Sequence, residues 1–450
     1  SLKMRVVIIG GGLSGLCAAW TLQESGHEAI ILERNACPGG NVQSTREAGF
    51  LVESGPNTLQ VAEPALDALL EQIGAADRSI EANPDAAKRY VVRNQQPMAV
   101  PQSLTQALRT SLFDWPTKSR IACEPFIPAS NHKEESLANF VRRRLGQDFL
   151  DYAINPMVGG VYAGDPESLS TCYGFPKVFQ LEKEYGSLTA GALSKMLRKR
   201  HSKKAFRSRL ISWPNGMQEL VNQLARALNI RVNATIQSIT RTNQKWSIQW
   251  KQDNTTEHVH ADQLIVATPA HVLTSLPFDK ELSKVFEPLN KIPHPPVSVY
   301  ALGFKTTDIQ HPLDGFGMLV PEKEKANILG TLFSSTLFPD RAPEGHVLLT
   351  SFVGGTRQPH LAELETKELH AKVMESLHHY LGVCGEPVYS RRVHWERAIP
   401  QYTLDHRRVA RLLNEIEKQY PGLHLIGNYR DGIAAGKCML NASQRMAQTL

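Results

Sequence analysis

Short apolar runs that alternate with amphipathic stretches mark the two ends of the chain. Residues 4–9 and 29–32 are almost entirely apolar, as expected of strands buried on both faces of a sheet. Residues 13–23 between them have a helical pattern, and residues 423–426 repeat the apolar run near the other end. The pattern predicts β-α-β units and hence an α/β fold.

The pattern changes in the interior of the chain. A helix is predicted at 63–73, and residues 85–100 are typical of two strands around a polar turn. From 101 to 197 apolar side chains recur at helical spacing, and 216–228 is a further amphipathic helix. A helix at 362–381 follows a strand-rich stretch. The predicted strands lie at 231–232, 235–240, 246–251, 264–267 and within 297–355.

A segment with the sequence GGGLSG joins the first strand to the first helix. Gly10 allows the tight turn, Gly12 lets a pyrophosphate approach the backbone, and Gly15 lets helix and strand pack closely. The helix points N–H groups at the phosphates, and Glu33 ends the second strand, where it can accept hydrogen bonds from a ribose. With a second glycine segment at 427–434, this predicts a flavin dinucleotide held by both ends of the chain.

A secretory signal is the alternative interpretation of the N-terminal segment, because Lys3 and Arg5 precede a largely apolar stretch that ends near Ala19. The glycine spacing and the β-α-β pattern favour the nucleotide site. With 450 residues, 42% hydrophobic and 21% charged, the chain is expected to be a globular enzyme of two or three domains. It has no run of 18 apolar residues, so no transmembrane helix is expected.

Cysteine and charge patterns limit the remaining classes of function. The six cysteines are scattered, with no CxxC spacing and no histidine cluster, so neither a disulfide framework nor a metal site is expected. The expected location is therefore a reducing compartment. The net charge is +6, and residues 195–209 are rich in Lys and Arg. A solvated linker and a contact with anionic lipid or an acidic substrate both fit this basic run. Nucleic acid is not expected, because no aromatic interleaving accompanies it.

Several further strings carry a more specific signal. Besides the glycine segments and Glu33, they are Gly39-Gly40, Gly55-Pro56, Leu145-Gly146, Pro156, GVYAGDP at 160–166, Leu169-Ser170, Leu181-Glu182, Tyr185-Gly186-Ser187, GFGMLVP at 315–321 and AIPQYT at 398–403. In these strings the chain resembles the flavin amine oxidase superfamily and, within it, the oxygen-dependent protoporphyrinogen oxidases. The resemblance runs in order along essentially the whole chain.

The resemblance implies a fold and an activity. The fold is α/β (α+β), with a Rossmann-like FAD-binding domain built from discontinuous segments, a mixed-sheet substrate domain and a helical, membrane-contacting domain. The implied activity is FAD-dependent oxidation of protoporphyrinogen IX to protoporphyrin IX in haem biosynthesis, with dioxygen reduced to hydrogen peroxide. The implied segments are 1–80, 208–272 and 418–450 for FAD, 81–100 and 273–417 for substrate, and 101–207 for the helical domain.

FAD bound non-covalently is the implied cofactor, since Cys438 matches no attachment motif. The resemblance assigns Glu33 to the adenosine ribose, Ile236 to adenine, and Ile433 and Ala434 to the flavin ring. All the expected cofactor contacts are Gly10, Gly12, Leu13, Ser14, Gly15, Glu33, Arg34, Gly39, Gly40, Asn41, Gly55, Pro56, Asn57, Ile236, Ala267, Thr268, Trp395, Gly427, Asn428, Gly432, Ile433 and Ala434. Two positions depart from the family pattern: relatives often carry Lys or Arg at Asn41, and usually Gly at Asp405.

A tetrapyrrole needs apolar walls and a cation for its propionates. The resemblance assigns Arg89 to a propionate and places Gly164 in a glycine pair whose backbone faces the substrate. Against the macrocycle it places Phe316, Gly317, Leu319 and Phe352. On pattern alone, Arg89 also fits an edge-strand arginine facing solvent, and the apolar residues fit a core. No catalytic acid or base is assigned, because the flavin itself accepts the hydride.

Three other functions stay open. Coproporphyrinogen III, a tetracarboxylate, would also suit Arg89. Amine oxidases of this fold usually carry a lysine five residues before a phenylalanine in a central strand; counting from Phe304 puts Val299 there, which argues against amine oxidation. A non-catalytic flavin-binding or membrane-scaffolding protein is the third.

The expected partners follow from the same resemblance. They are the tetrapyrrole, dioxygen, membrane lipid contacted at the periphery and a second copy in a homodimer. Leu112, Phe113 and Trp115 are the candidate interfacial residues of the helical region. The expected location is the cytoplasm, with peripheral attachment to the cytoplasmic membrane.

Overall fold

A computed structural model describes residues 2–131 and 134–450. Its strands are β1 (Arg5–Ile9), β2 (Glu28–Leu32), β3 (Ser44–Glu47), β4 (Phe50–Glu53), β5 (Leu59–Val61), β6 (Ile80–Glu81), β7 (Lys88–Arg93), β8 (Gln96–Ala99), β9 (Arg209–Ser212), β10 (Asn229–Arg231), β11 (Thr235–Thr242), β12 (Lys245–Gln252), β13 (Thr255–Ala261), β14 (Gln263–Val266), β15 (Val297–Lys305), β16 (Gly315–Leu319), β17 (Gly330–Leu332), β18 (His346–Gly354), β19 (Tyr389–Trp395) and β20 (Leu423–Leu425).

The helices complete the secondary structure, together with a π-helical turn at Leu150–Ile154 and short 3₁₀ segments. The α-helices are α1 (Leu13–Glu24), α2 (Pro64–Ile73), α3 (Leu104–Arg109), α4 (Trp115–Ala122), α5 (Leu137–Arg144), α6 (Gln147–Phe149), α7 (Asn155–Tyr162), α8 (Thr171–Gly174), α9 (Pro176–Tyr185), α10 (Leu188–His201), α11 (Gln218–Ala225), α12 (Ala270–Leu273), α13 (Lys280–Phe286), α14 (Ser334–Leu337), α15 (Pro359–Ala362), α16 (Thr366–Leu381), α17 (His406–Gln419), α18 (Asn428–Asp431) and α19 (Ala435–Thr449).

A five-stranded parallel sheet in the order β10-β2-β1-β14-β20 joins distant parts of the chain. Ile8 packs against Leu16 of α1 and Met439 of α19 on one face, and Ile9 packs in a second core with Trp246 on the other. Burial on both faces explains why these strands are continuously apolar. The predicted α/β class, with a Rossmann-like sheet assembled from separate segments, is confirmed.

The strand β13 was not predicted. Its sequence TTEHVHA is largely polar, and it forms one edge of an antiparallel sheet in the order β11-β12-β13. Most of its side chains are exposed, so hydrophobic alternation, the signal that marks half-buried strands, is absent.

A second, seven-stranded sheet has the order β19-β15-β18-β17-β16-β7-β8. It is mixed, because β16 pairs with β7 in parallel while its other pairings are antiparallel. Helix α16 covers one face, where Leu369 and Val373 join a core with Tyr300 and Phe304. The opposite face carries the residues predicted to meet the substrate.

Helices α3 to α10 form the region predicted to be helical, and a buried ionic network joins three of its parts. Arg144 at the end of α5 and Glu124 are each 0% exposed and pair at 2.5 Å, and Arg144 also pairs with Glu182 at 2.7 Å. Ser187 caps α10 and donates a hydrogen bond to Glu124. The Leu181-Glu182 and Tyr185-Gly186-Ser187 strings therefore have a structural basis, since Gly186 adopts the left-handed conformation, with φ +69°, that ends α9.

The candidate interfacial residues of this region need correction. Leu112 and Phe113 are buried, in a core with Val91, so the prediction that they are interfacial was wrong. Trp115 is 64% exposed. Other exposed apolar side chains, which helical periodicity alone could not separate from the core, are Leu104, Leu108, Phe126, Val161, Leu193, Met196 and Leu197. Among the described residues, no helix has the length and apolar character needed to cross a bilayer.

Candidate flavin site and substrate cleft

The turn between β1 and α1 needs glycine at both ends for steric reasons. Gly10 has φ +105°, and a Cβ atom there would lie 2.9 Å from the Ala267 carbonyl oxygen. A Cβ at Gly15 would lie 2.0 Å from the Gly10 carbonyl oxygen, so helix and strand are packed backbone to backbone. Both roles agree with the sequence-based interpretation of the fingerprint.

Gly12 differs from its neighbours because space remains around it. A Cβ atom there would meet only the Gly40 Cα, at 3.9 Å. The Gly39 N–H donates to the Gly11 carbonyl oxygen at 2.7 Å, so the segment that contains Gly39 and Gly40 runs beside the turn between β1 and α1. Gly12 is also the N-cap of α1 and has no side chain to occupy the first-turn N–H groups. This bare backbone at a helix N-terminus fits a pyrophosphate.

Glu33 lies at the end of β2 beside the glycine turn. Its buried carboxylate accepts hydrogen bonds from the Gly11 N–H at 3.2 Å and the Asn35 N–H at 3.0 Å. Ala267 follows the neighbouring strand β14 and donates its N–H to the Ile9 carbonyl oxygen at 2.8 Å. Of the other predicted contacts on this side, Leu13, Ser14 and Thr268 are buried, Ile236 is half-buried and Arg34 is exposed.

Residues 427–432, the C-terminal glycine loop, follow β20 of the same sheet. The loop begins at Gly427 with φ +149° and ends at Gly432 with φ +110°, and it encloses the short helix α18. Ala434 then caps the long helix α19. Gly427, Asn428, Gly432 and Ile433 are half-buried and Ala434 is exposed, so this edge of the sheet presents accessible backbone.

The loop at 54–57 links this sheet to the seven-stranded sheet. A Cβ at Gly55 would lie 2.3 Å from the Asn41 carbonyl oxygen, so the loop touches the segment that contains Gly39 and Gly40. From the other side, the indole N–H of Trp395 donates to the Ser54 carbonyl oxygen at 2.8 Å. Gly55, Pro56 and Asn57 are half-buried and Asn41 is exposed. The structure thus brings predicted cofactor residues from three distant segments to one place.

Two residues near the predicted cofactor contacts were not found by sequence reasoning. Tyr402 lies in the AIPQYT string, to which no role was assigned, and its hydroxyl bonds to the C-terminal glycine loop. Glu53 is buried at the end of β4, where burial raises its pKa to about 7 although hydrogen bonds from Ser44 and Met217 act in the opposite direction. A single carboxylate after an apolar strand was the sequence signal for Glu53.

The predicted substrate residues share one face of the seven-stranded sheet. Leu319, Gly330, Phe352 and Val299 occupy successive positions of one cross-strand row. Gly330 carries no side chain between Leu319 and Phe352, and both of these are only partly buried, unlike most of the sheet. Trp395 packs into the same cluster as Val299 and Phe352. This face therefore adjoins the Trp395–Ser54 contact, next to the predicted cofactor residues Gly55 and Asn41.

Arg89 lies in β7 at the side of this face. Its guanidinium carbon is 4.4 Å from the centre of the Phe316 ring, a cation–π contact. The side chain is exposed, yet desolvation by surrounding protein lowers its pKa. This combination is expected of a cation at the border of a cleft. Among the described residues no carboxylate pairs with Arg89, so its charge is available to an anionic ligand.

The two glycines assigned to the substrate have packing roles of their own. A Cβ at Gly317 would lie 2.5 Å from the Thr331 carbonyl oxygen, at a bulge in the pairing of β16 with β7. A Cβ at Gly164 would lie 2.5 Å from the Gln401 side-chain oxygen. Backbone packing thus requires glycine at Gly317, whereas a side chain at Gly164 would displace the Gln401 amide. The contact of both residues with substrate stays a prediction.

The departure at Asp405 causes no strain. Asp405 precedes α17 with φ −80°, a conformation open to any residue, so no glycine is needed there.

Comparisons with known proteins agree with this geometry. Residues 13–440 match the model of the flavin containing amine oxidoreductase family. Protoporphyrinogen oxidase 2, chloroplastic/mitochondrial, of Arabidopsis thaliana is 32% identical over 96% of this chain and 91% of its own length. Coproporphyrinogen III oxidase of Bacillus subtilis is 27% identical over 97% of this chain and 96% of its own length.

Solved structures show the same fold. A provisionally assigned protoporphyrinogen oxidase from Exiguobacterium superposes with a TM-score of 0.81 at 24% identity, covering 100% of this chain and 98% of its own. Reduced UDP-galactopyranose mutase superposes with a TM-score of 0.75 at 15% identity, covering 100% and 94%. Since the family model spans nearly the whole sequence, this chain belongs to the flavin-containing amine oxidoreductases and is a flavin-dependent oxidoreductase.

Proposed function

We propose that this protein oxidises protoporphyrinogen IX to protoporphyrin IX in haem biosynthesis, with non-covalently bound FAD and with dioxygen as the final acceptor. The observation that carries the proposal is the accessible, unpaired Arg89 stacked on Phe316, beside a partly exposed apolar sheet face in a chain 32% identical to a protoporphyrinogen oxidase. A tetrapyrrole with apolar pyrrole rings and charged propionate groups is complementary to such a cleft.

In this proposal one group of residues binds the cofactor and another binds the substrate. Backbone N–H groups at Gly12 and the C-terminal glycine loop hold the cofactor, and Glu33 binds its ribose. Phe316, Leu319 and Phe352 cover the faces of the substrate and exclude water, while Arg89 fixes a propionate and so orients the ring system. The flavin, when bound, would supply the electron-accepting ring, and no catalytic acid or base is assigned in the cleft.

Amine oxidation is disfavoured at one position. Val299, counted from Phe304, stands where amine oxidases of this fold usually carry lysine, and it is buried in β15 between Phe352 of β18 and Val393 of β19. This row is apolar, which suits a tetrapyrrole better than an amine.

Coproporphyrinogen III is the second candidate substrate, because a relative of this length carries that name. The test supplies both porphyrinogens to purified protein in air and follows porphyrin fluorescence against autoxidation. We expect faster oxidation of protoporphyrinogen IX. Faster oxidation of the tetracarboxylate would establish the second candidate, and no rise above autoxidation with either would reject porphyrinogen oxidation.

Replacement of Arg89 by alanine is expected to lower kcat/KM about tenfold or more, because a charge-assisted hydrogen bond is worth roughly 1.5–3 kcal/mol. The FAD absorption spectrum should not change. Lys88→Ala is the matched control, since Lys88 is the preceding residue of the same strand but pairs with Asp314 at 2.9 Å. Steady-state kinetics of both variants decide the point: equal losses, or no loss at Arg89, would remove Arg89 from the substrate site.

Peripheral contact with membrane lipid is part of the proposal. The basic run begins within α10, which also carries the exposed apolar side chains of Leu193, Met196 and Leu197. Cations beside exposed apolar side chains suit an anionic membrane surface.

We expect this protein to bind anionic vesicles in a salt-sensitive manner and neutral vesicles weakly. Replacing Lys195, Lys199 and Lys203 by serine should weaken binding strongly, since each cation near a membrane contributes about 1 kcal/mol. The matched control replaces three exposed lysines elsewhere, Lys280, Lys284 and Lys291. Vesicle sedimentation measures the fraction of each variant that is bound. Equal binding by both triple variants would instead support the interpretation of the basic run as a solvated linker.

A further inference from the structure

We propose that Tyr402 is a positioning residue for the flavin, acting through the C-terminal glycine loop. Its hydroxyl accepts a hydrogen bond from the Gly432 N–H at 2.8 Å and donates one to the Asn428 carbonyl oxygen. Asn428 begins α18 and Gly432 directly follows its end, so one hydroxyl ties together both ends of the turn. The inference rests on the proposed FAD contacts of this loop.

Two glycines give this loop conformational freedom, which Tyr402 limits together with other contacts, such as the hydrogen bond from the Asn441 side chain to the Asp431 carbonyl oxygen at 2.6 Å. Gly427 and Gly432 both have positive φ values, and glycine at a turn offers conformations that other residues do not. Helix α18 spans only four residues and makes no side-chain cap at Gly427. Gly432 precedes Ile433 and Ala434, the residues expected to face the flavin ring. A shift at Gly432 would therefore move the predicted flavin contacts.

Tyr402 itself is firmly held from outside the dinucleotide-binding sheet. Its carbonyl oxygen accepts the Ser170 N–H at 2.8 Å, at the start of α8. The preceding residue, Gln401, donates from its side chain to the Tyr162 carbonyl oxygen at 2.9 Å. The phenol ring lies 4.3 Å from the His406 ring, centre to centre. These contacts fix the hydroxyl in the same way that supporting residues fix the groups of a binding site.

Burial keeps the hydroxyl in one protonation state. Tyr402 is 8% exposed, and desolvation raises its pKa far above the ordinary range, so the phenol stays neutral and can donate and accept at once. His406 stays neutral as well, since burial lowers its pKa to about 4. Near neutral pH the Tyr402 hydroxyl therefore keeps both its donor and its acceptor role toward the loop.

Tyr402→Phe tests the inference, because it removes the hydroxyl and keeps the ring packing. The Gly432 N–H and the Asn428 carbonyl oxygen would lose their partner. We expect FAD to leave the holoenzyme about tenfold faster, given two hydrogen bonds of modest net strength. FAD fluorescence after dilution, followed well below the unfolding temperature, measures release without a contribution from global unfolding.

Tyr429→Phe is the matched control. Tyr429 belongs to the same loop and is 0% exposed, but its hydroxyl has no hydrogen-bond partner within the described part of the chain. Its removal should change the FAD release rate by no more than about twofold, because no hydrogen bond is lost.

Hydrogen exchange of the peptide covering residues 427–434 provides a second readout. We expect faster exchange there in Tyr402→Phe and unchanged exchange in β1 and α1. Unchanged FAD release and unchanged loop exchange in Tyr402→Phe, or an equal change in Tyr429→Phe, would overturn the inference. Wild-type protein that retains no FAD would instead reject the proposed cofactor, so the two failures can be told apart.

Discussion

Alanine in place of Gly12 is expected to weaken FAD binding by roughly 10- to 100-fold while leaving the fold intact. The added Cβ would lie at an ordinary distance of 3.9 Å from the Gly40 Cα, so the protein itself accommodates it. It would, however, enter the space between Gly12 and Gly40, where the pyrophosphate is expected. Hydrogen bonds to a charged group are worth roughly 1.5–3 kcal/mol each, which sets the size of the loss. FAD titration of the protein freed of cofactor measures it.

Gly15→Ala provides the contrast that separates binding from folding. Its Cβ would lie 2.0 Å from the Gly10 carbonyl oxygen, so β1 and α1 would have to move apart. We expect this variant to lose both FAD binding and thermal stability in the cofactor-free protein, whereas Gly12→Ala loses only binding. The pyrophosphate placement would be wrong if Gly12→Ala bound FAD normally or unfolded at a temperature as low as that of Gly15→Ala.

The second large effect is expected in the helical region, where Arg144→Met should destabilise the protein by about 3–5 kcal/mol. That is the usual cost of removing one partner of a buried ion pair, because the other charge stays buried. Glu124 and Glu182 would both lose Arg144. The midpoint of thermal unfolding should fall by roughly 3–5 °C, because the entropy of unfolding is about 0.9 kcal/mol/K for 450 residues. Circular dichroism of the holoenzyme follows the transition.

Arg207→Met is the matched control, since Arg207 forms an ion pair with Glu81 at 2.9 Å in which both side chains are exposed. Such pairs contribute about 0–1 kcal/mol, so its midpoint should stay close to that of the wild type. Equal shifts in the two variants would show that burial of the Arg144 network adds nothing to stability.

The same network predicts how stability depends on acid. Desolvation alone would raise the pKa of Glu124, but hydrogen bonds from Ser187, the N–H groups of Leu188 and Thr189, and Arg144 outweigh it and lower the pKa to about 2. A carboxylate with a depressed pKa stabilises the fold above its unfolded value of 4.5 and loses that contribution as the pH falls toward 2. The Arg144→Met variant should show a smaller loss over this window.

The substrate face shows where sequence reasoning reached its limit. Periodicity marks β16 and β18 as apolar, but it does not distinguish a core side chain from one that faces a cleft. Only the cross-strand register places Leu319, Gly330 and Phe352 in one row. Leu112 and Phe113 show the opposite confusion. Their apolar character suggested side chains at a membrane surface, but both are buried in the fold.

What the sequence determined by itself was the local chemistry of the glycine fingerprint, the α/β class and the family. Gly15 and Glu33 contact Gly10 and Gly11, which are near them in sequence, so their spacing carries that geometry, whereas the approach of Gly10 to Ala267 depends on the pairing of β1 with β14. The tertiary structure decided which distant groups meet: Trp395 with Ser54, and Tyr402 with the C-terminal glycine loop. Such contacts depend on how separate segments of the chain pack together, and packing between distant segments leaves no periodic pattern in the sequence.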